Sequence, residues 1–142
     1  MIMKYFKFLL LFFILAFVIY QGTRVSSVSL SYSDSIIYFI QSYIHLDYVT
    51  LNFLIRKLAH FAEYMVLGFI LALTNKKDNK ISFSLLIVLI VSILDEFLQG
   101  FIGRTSMVYD IVIDGIGGYI GILISAVISR IVSLYYNNEN KD

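Results

Sequence analysis

The chain has 142 residues, of which 59% are hydrophobic and 15% are charged, whereas about a quarter of the residues in an ordinary soluble domain are charged. The length fits one domain, residues 1–142. A net charge of +1 excludes the basic surface of a nucleic-acid-binding protein, and the absence of cysteine excludes disulfides and thiolate chemistry. We therefore expect an all-α, polytopic membrane protein, because backbone groups in lipid need hydrogen-bond partners within their own helix.

The N-terminal stretch is apolar and is flanked by lysine. Residues 5–21 predict a first membrane span, in which Lys4 and Lys7 extend to the interface. The short apolar run from Phe8 to Tyr20 also fits the core of a cleaved signal peptide. We favour the retained span, because the rest of the chain is itself predicted to lie in the membrane.

A long polar connection, Gln21 to Ile55, follows this span. Part of it carries apolar residues that share one helical face: Ile36, Ile37, Ile40, Tyr43 and Ile44. This pattern predicts a short amphipathic helix within residues 34–46, in the first outer loop, lying on the membrane surface or packed over the other helices. The alternative is a solvated loop.

Three further apolar segments complete a predicted four-helix transmembrane bundle. They cover about residues 56–74, 81–99 and 110–134, and each is near the ~20 residues needed to cross a bilayer. The side that holds both termini and the 75–80 turn carries most of the 11 Lys and Arg residues: Lys4, Lys7, Lys76, Lys77, Lys80, Arg130 and Lys141. The positive-inside rule therefore predicts a multi-pass protein of the plasma membrane with both termini in the cytoplasm.

The polar residues of the last three spans are predicted to share one depth. In this topology the start of the second span, the end of the third, the loop after it and the start of the fourth all lie on the outer side. These segments carry Arg56, Lys57, His60, Glu63, Asp95, Glu96, Gln99, Arg104, Asp110 and Asp114. Because ionisable groups in a membrane segment are costly and persist only when paired, we predict a charge network that binds a ligand or holds the helices in register.

Small residues recur further along the fourth span. Gly117, Gly121 and Ser125 are spaced by four, so they share one face of a helix. Such a stripe is typical of a surface on which another membrane helix packs closely. We predict helix packing, not ligand binding, for these three residues.

The polar residues that are predicted to share one depth belong to sequence motifs, and in these motifs the chain resembles the VanZ-like family of small bacterial membrane proteins. The resemblance rests on Arg56-Lys57-x-x-His60-Phe61-x-Glu63-Tyr64-x-x-Leu67-Gly68, on Asp95-Glu96-x-x-Gln99-x-Phe101 with Gly103-Arg104, and on Asp110-x-x-x-Asp114-x-x-Gly117. Ile102 stands where relatives often have proline, and Leu98 where they often have histidine. The resemblance implies a role in the cell envelope and, through the family's namesake, in resistance to teicoplanin-type glycopeptides.

One function that fits these observations is binding. Arg56, Lys57 and Arg104 would hold a phosphate or carboxylate group, and Asp95, Glu96 and Asp114 would orient those cations. The ligand would be a membrane lipid, a lipid-linked wall precursor or a lipoglycopeptide in the outer leaflet.

A second function that fits is intramembrane catalysis on a lipid-linked substrate. His60 with Glu63, or Asp95 with Glu96, would supply the general acid and base. A metal site at His60, Glu63 and Asp95 would contain only one histidine, which is fewer than zinc sites usually have. We therefore expect no metal and no other cofactor.

Two further alternatives remain. A transporter would need a polar path across the membrane, which the inner halves of the spans lack. A purely structural network is the other alternative. The oligomeric state does not follow from the sequence.

Overall fold

The computed structural model describes residues 2–22, 34, 36–75, 80–101 and 107–139. Within these ranges most residues are helical and none lies in a strand. The helices are α1 (Ile2–Gly22), α2 (Tyr48–Thr74), α3 (Lys80–Phe101) and α4 (Val108–Glu139). In the described part of the chain, three segments are long and apolar enough to cross a membrane: Tyr48–Thr74, Ile81–Phe101 and Val108–Asn137. The apolar part of α1, Phe8–Tyr20, is shorter. The predicted all-α class is confirmed.

α2 begins eight residues before the predicted start of its span at Arg56. Asp47 caps the helix: its side chain accepts a hydrogen bond from the Thr50 N–H at 3.0 Å and another from the Thr50 hydroxyl at 2.6 Å. A carboxylate at this position satisfies one of the amide groups that the first turn of a helix leaves without partners. Arg56 and Lys57 therefore lie in the third turn of α2, not at its start.

The connection between α1 and α2 contains a helical stretch at residues 36–41, which is shorter than the predicted amphipathic helix. Ile37 is fully buried, whereas Ile36, Tyr43 and Ile44 are exposed. The Tyr48 hydroxyl donates a 2.5 Å hydrogen bond to the carboxylate of Asp34. This contact joins the connection to the first turn of α2.

The closest helix contact is between α2 and α4, and glycine makes it possible. Gly68 lies against the backbone of Gly118, and Gly121 lies against the carbonyl group of Met65. A Cβ atom at Gly68 or Gly121 would overlap these backbone atoms. Backbones that approach this closely need residues without side chains, as in small-residue packing between membrane helices. The contact fixes the register of α2 against α4, and with it the relative positions of their polar residues.

A small apolar core joins the other helices to this pair. It is built around Val18 of α1, Leu67 and Leu71 of α2, and Val88 of α3, with Tyr64 at its polar edge. Most other large apolar side chains face outward, including Phe12, Phe97 and Ile131. An interior that is partly polar, enclosed by an apolar exterior, is the arrangement expected when lipid replaces water as the solvent.

Candidate functional site

Lys57 of α2 and Asp110 of α4 form an ion pair at one end of the helix contact. The Asp110 side chain is 2% exposed and the Lys57 side chain 15%. The Lys57 ammonium group also lies 5.0 Å from the ring centroid of Phe53 and 5.9 Å from that of Tyr109. Asp110 stands in the first turn of α4, where the helix dipole stabilises a negative charge. The positive charge of Lys57 is thus compensated within the protein.

His60 and Asp114 meet one turn further along the same two helices. The His60 Nδ1 atom lies 3.3 Å from Asp114 Oδ1, within ion-pair distance but without the alignment of a hydrogen bond. The other carboxylate oxygen of Asp114 accepts a 2.6 Å hydrogen bond from the Ser92 hydroxyl of α3. Asp114 and Ser92 are fully buried. This carboxylate therefore contacts both α2 and α3.

Asp95 of α3 is the centre of a second buried group. Its Oδ2 atom accepts a 3.0 Å hydrogen bond from the Gln99 side chain and a 3.4 Å hydrogen bond from the Tyr64 hydroxyl. The Asp95 Oδ1 and Gln99 Oε1 atoms are buried without a hydrogen-bond partner among the described residues. All three side chains are almost entirely enclosed. The group retains unused hydrogen-bonding capacity in its interior.

Glu96 connects the end of α3 to the start of α4. Its Oε2 atom accepts a 2.9 Å hydrogen bond from the Met107 N–H, and the Met107 carbonyl accepts one from the Asp110 N–H at 2.8 Å. Glu96 is 3% exposed, and its Oε1 atom has no hydrogen-bond partner in the described part of the chain. The carboxylate holds the entry to α4 in place.

A cleft of about 200 Å³ lies beside Lys57, the cation of the Lys57–Asp110 pair. It is lined by Val49, Asn52, Phe53, Arg56, Lys57 and Met107, and we call it the Arg56 cleft. Arg56 is half-buried, and no acidic side chain among the described residues pairs with it. The first two turns of α2, which the sequence analysis assigned to the connection, form one wall of this cleft.

Most of the predicted polar residues converge between α2, α3 and α4. The buried members are His60, Asp95, Glu96, Gln99, Asp110 and Asp114. Lys57 and Glu63 are half-buried, and Arg56 lines the cleft. Arg104 lies outside the described residues. Gly117 and Gly121 face α2, and Ser125 is buried.

Two residues of the site were missed by sequence reasoning. Tyr64 is part of the motif that carries the family resemblance but was given no role, and Ser92 was not considered. Each lies one turn from a residue that was predicted, Tyr64 after His60 and Ser92 before Asp95, so helical spacing provides a signal for both. Their hydroxyl groups donate hydrogen bonds to the buried carboxylates.

Among the described residues, the acids predicted to orient the cations contact other groups instead. The carboxylate that faces Lys57 is that of Asp110, whereas Asp114 faces His60 and Glu96 holds a backbone amide. Among the described residues, no three His, Asp or Glu side chains are placed to hold one metal ion. The arrangement offers two kinds of chemistry, an arginine at an open cleft and a set of enclosed proton-accepting groups beneath it.

Comparisons with known proteins give one match. The model of a family described as VanZ/LLP1 matches residues 5–129. This range spans most of the chain and includes every residue of the site described above. No curated protein and no solved structure matches the chain.

Proposed function

The chain belongs to the VanZ/LLP1 family, and we propose that it is a bacterial cell-envelope protein that binds an anionic, lipid-linked ligand in the outer leaflet. Through this binding it contributes to resistance to teicoplanin-type glycopeptides. We propose that α1 adds a fourth span to the three long helices, in a four-helix bundle in the plasma membrane with both termini in the cytoplasm. The 34–46 connection lies over the outer end of the bundle as an amphipathic segment.

One observation carries this proposal: Arg56 has no acidic partner among the described residues. Lys57 next to it is paired with Asp110, so the described residues that line the Arg56 cleft leave one cation without an acidic partner. A half-buried guanidinium group without an acidic partner has lost part of its hydration, so a carboxylate or phosphate in the cleft would stabilise its charge. Its planar fork matches either anion with two parallel hydrogen bonds.

The depth of the Arg56 cleft supports a ligand at the membrane surface. From Arg56 to Thr74, α2 rises roughly 27 Å at 1.5 Å per residue. The hydrocarbon core of a bilayer is ~30 Å thick. When Thr74 lies at the opposite interface, the Arg56 backbone therefore lies near the edge of the hydrocarbon core, and its long side chain can reach the head groups. Val49 and Phe53 offer apolar contact to the ligand.

Arg104 is proposed as a second ligand-binding cation, because it lies in the sequence between α3 and α4, close to Gln99 and Asp110. The buried groups beneath the Arg56 cleft have a supporting role. Asp110 keeps Lys57 compensated, and the contact of His60 with Asp114 holds α2 against α4. The ligand then encounters a rigid pocket with a small excess of positive charge.

Drug susceptibility in a sensitive Gram-positive host tests this proposal. We expect expression of the wild-type chain to raise the inhibitory concentration of teicoplanin and to change that of vancomycin little. Arg56→Gln should remove the effect, whereas Arg130→Gln, which neutralises an exposed arginine near the other end of α4, should keep it. Equal susceptibility for all strains at matched membrane levels would refute the link to teicoplanin.

Ligand binding is measured separately from resistance. Membranes that contain the wild-type chain should retain more labelled teicoplanin or labelled wall-precursor lipid than membranes with Arg56→Gln. If neither probe distinguishes the two membranes, the Arg56 cleft is not the binding site for these ligands.

Catalysis is the second candidate, and the contact of His60 with Asp114 favours it. A carboxylate within 3.3 Å of an imidazole nitrogen can hold the ring in one orientation, as in general acid–base sites. The substrate would be a lipid-linked envelope component, and Glu63, Asp95 and Glu96 are the further candidate acids and bases. His60→Gln should then abolish resistance while leaving ligand binding intact. Resistance that survives this substitution would exclude the catalytic role.

A further inference from the structure

A second cleft lies at the C-terminal end of α3. Its volume is about 270 Å³, and it is lined by Glu96, Phe97, Gly100 and Phe101. We call it the Glu96 cleft. The Phe97 and Phe101 side chains are 62% and 74% exposed, so the cleft opens on the apolar outer surface of the helix. Met107 connects the two sites, because it lines the Arg56 cleft and donates its N–H to Glu96.

One oxygen of the Glu96 carboxylate lacks a hydrogen-bond donor among the described residues. One oxygen is used by the Met107 N–H, whereas Oε1 is buried with no hydrogen-bond partner among the described residues. The residue as a whole is 3% exposed, so little water reaches it. A buried acceptor without a donor loses the hydrogen bonds that water supplied in the unfolded chain. A ligand with an N–H group would restore them.

The surroundings of Glu96 favour a positive charge. The rings of Phe97 and Phe101 lie 4.8 Å apart between centroids, inclined at 80°. The face of an aromatic ring attracts cations. The last turn of α3 adds carbonyl groups that have no partner within the helix and carry the negative end of the helix dipole. The carboxylate, the rings and the helix end therefore all favour the binding of a cation.

We propose that the Glu96 cleft binds a primary ammonium group carried by a membrane lipid. The unpartnered oxygen selects a primary ammonium over a quaternary one, because a quaternary ammonium has no N–H to donate. The exposed phenylalanine rings select a lipid over a soluble amine, because they lie on a surface that faces the membrane and contact acyl chains there. This site does not depend on the anion proposed for the Arg56 cleft.

Lipid binding to the full-length protein tests the proposal. Native mass spectrometry compares phosphatidylethanolamine with phosphatidylcholine of the same acyl chains. The two lipids share the phosphate, so a failure of the Arg56 cleft affects both equally and leaves their ratio unchanged. We expect the ethanolamine lipid to bind about tenfold more tightly, which is ~1.4 kcal/mol.

Variants assign this preference to the Glu96 cleft. Glu96→Gln keeps an acceptor for the Met107 N–H and removes the charge, and it should bring the two lipids to equal affinity. Phe97→Leu removes none of the hydrogen bonds of the site, and it should weaken the binding of both lipids about threefold, because the ring attracts either ammonium group. Phe12→Leu is the matched control, since Phe12 belongs to an exposed phenylalanine pair with ring centroids 6.0 Å apart on α1.

Three results would overturn the proposal. The first is equal binding of both lipids to the wild-type chain. The second is a preference that persists in Glu96→Gln. The third is full displacement of the lipid by free ethanolamine at the same concentration, which would identify a soluble amine as the ligand.

Discussion

The imidazole of His60 on α2 lies 3.3 Å from the carboxylate of Asp114 on α4, and Ser92 on α3 donates a hydrogen bond to the same carboxylate. Three helices thus meet at one buried acid. Asp114 is fully enclosed, so it has no access to water if its partners are removed. The contact is therefore a sensitive point for stability as well as for any chemistry of the site.

Removing one partner of this contact should cost more than removing both. Leaving a single buried charge unpaired typically costs ~3–5 kcal/mol, whereas replacing both partners by apolar groups is often neutral. We expect His60→Leu to destabilise the protein strongly and His60→Leu with Asp114→Leu to destabilise it less. Unfolding in mixed micelles, followed by circular dichroism, measures both. Strictly additive effects of the two substitutions would show that the residues are not coupled.

The glycine contact between α2 and α4 predicts a second difference. Gly121→Ala places a methyl group against the Met65 carbonyl, so the helices must separate, at a cost of roughly 1–3 kcal/mol. Gly115→Ala is the control, because the nearest atom to its added methyl is the flexible Leu89 side chain at 3.1 Å. Thermal unfolding of the two variants should differ clearly. Equal melting temperatures would mean that α2 and α4 are not held this closely.

Several of the polar residues that meet between the helices could be named from the sequence, because helix spacing and membrane topology both limit where such residues can lie. His60 and Asp114 lie near the starts of their apolar runs, whereas Asp95 lies near the end of its run. Successive spans alternate in direction, so these positions are predicted to share one side of the membrane. The partners could not be predicted. The pairing of Lys57 with Asp110 depends on the register of α2 and α4, and backbone contacts at glycine set that register.

The start of α2 was mispredicted because hydropathy and helix formation are different signals. The first two turns, from Tyr48 to Ile55, contain Asn52 and Thr50 and follow a polar stretch, so they were assigned to the connection. The Asp47 side chain nevertheless caps a helix here. A cap and a short run of helix-compatible residues extend the helix beyond the part that lipid requires.

Acidification should loosen this first turn. The Thr50 hydroxyl and, to a smaller extent, the Thr50 N–H donate hydrogen bonds to the ionised Asp47 carboxylate. These bonds lower the pKa of Asp47 from the ordinary value of 3.8. A lowered pKa in the folded state means that the stabilisation is complete above pH 3.8 and is lost as the pH falls through the lower, folded value. Hydrogen exchange of the Thr50 and Leu51 amides should therefore accelerate below pH 3.8, after correction for the intrinsic rate.

Asp47→Asn is the control for this effect. Asparagine also caps helices but does not ionise, so exchange in this variant should not respond to pH in the same window. Asp47→Ala should show fast exchange at every pH and weaker ligand binding, because Val49 and Phe53 in the first two turns line the Arg56 cleft. If wild type and Asp47→Asn respond alike to acid, another group is responsible.

Arg56 and Lys57 are adjacent and carry the same charge, yet their loss should have different consequences. Lys57→Met leaves Asp110 buried at 2% exposure without its cation, at a cost of ~3–5 kcal/mol. Arg56→Met removes a cation that has no acidic partner among the described residues, so stability should change by no more than about 0.5 kcal/mol. Ligand binding should nevertheless be lost in Arg56→Met. Paired measurements of unfolding and of labelled-lipid retention separate the two roles, and a large loss of stability in Arg56→Met would assign Arg56 to the structural network instead of the ligand.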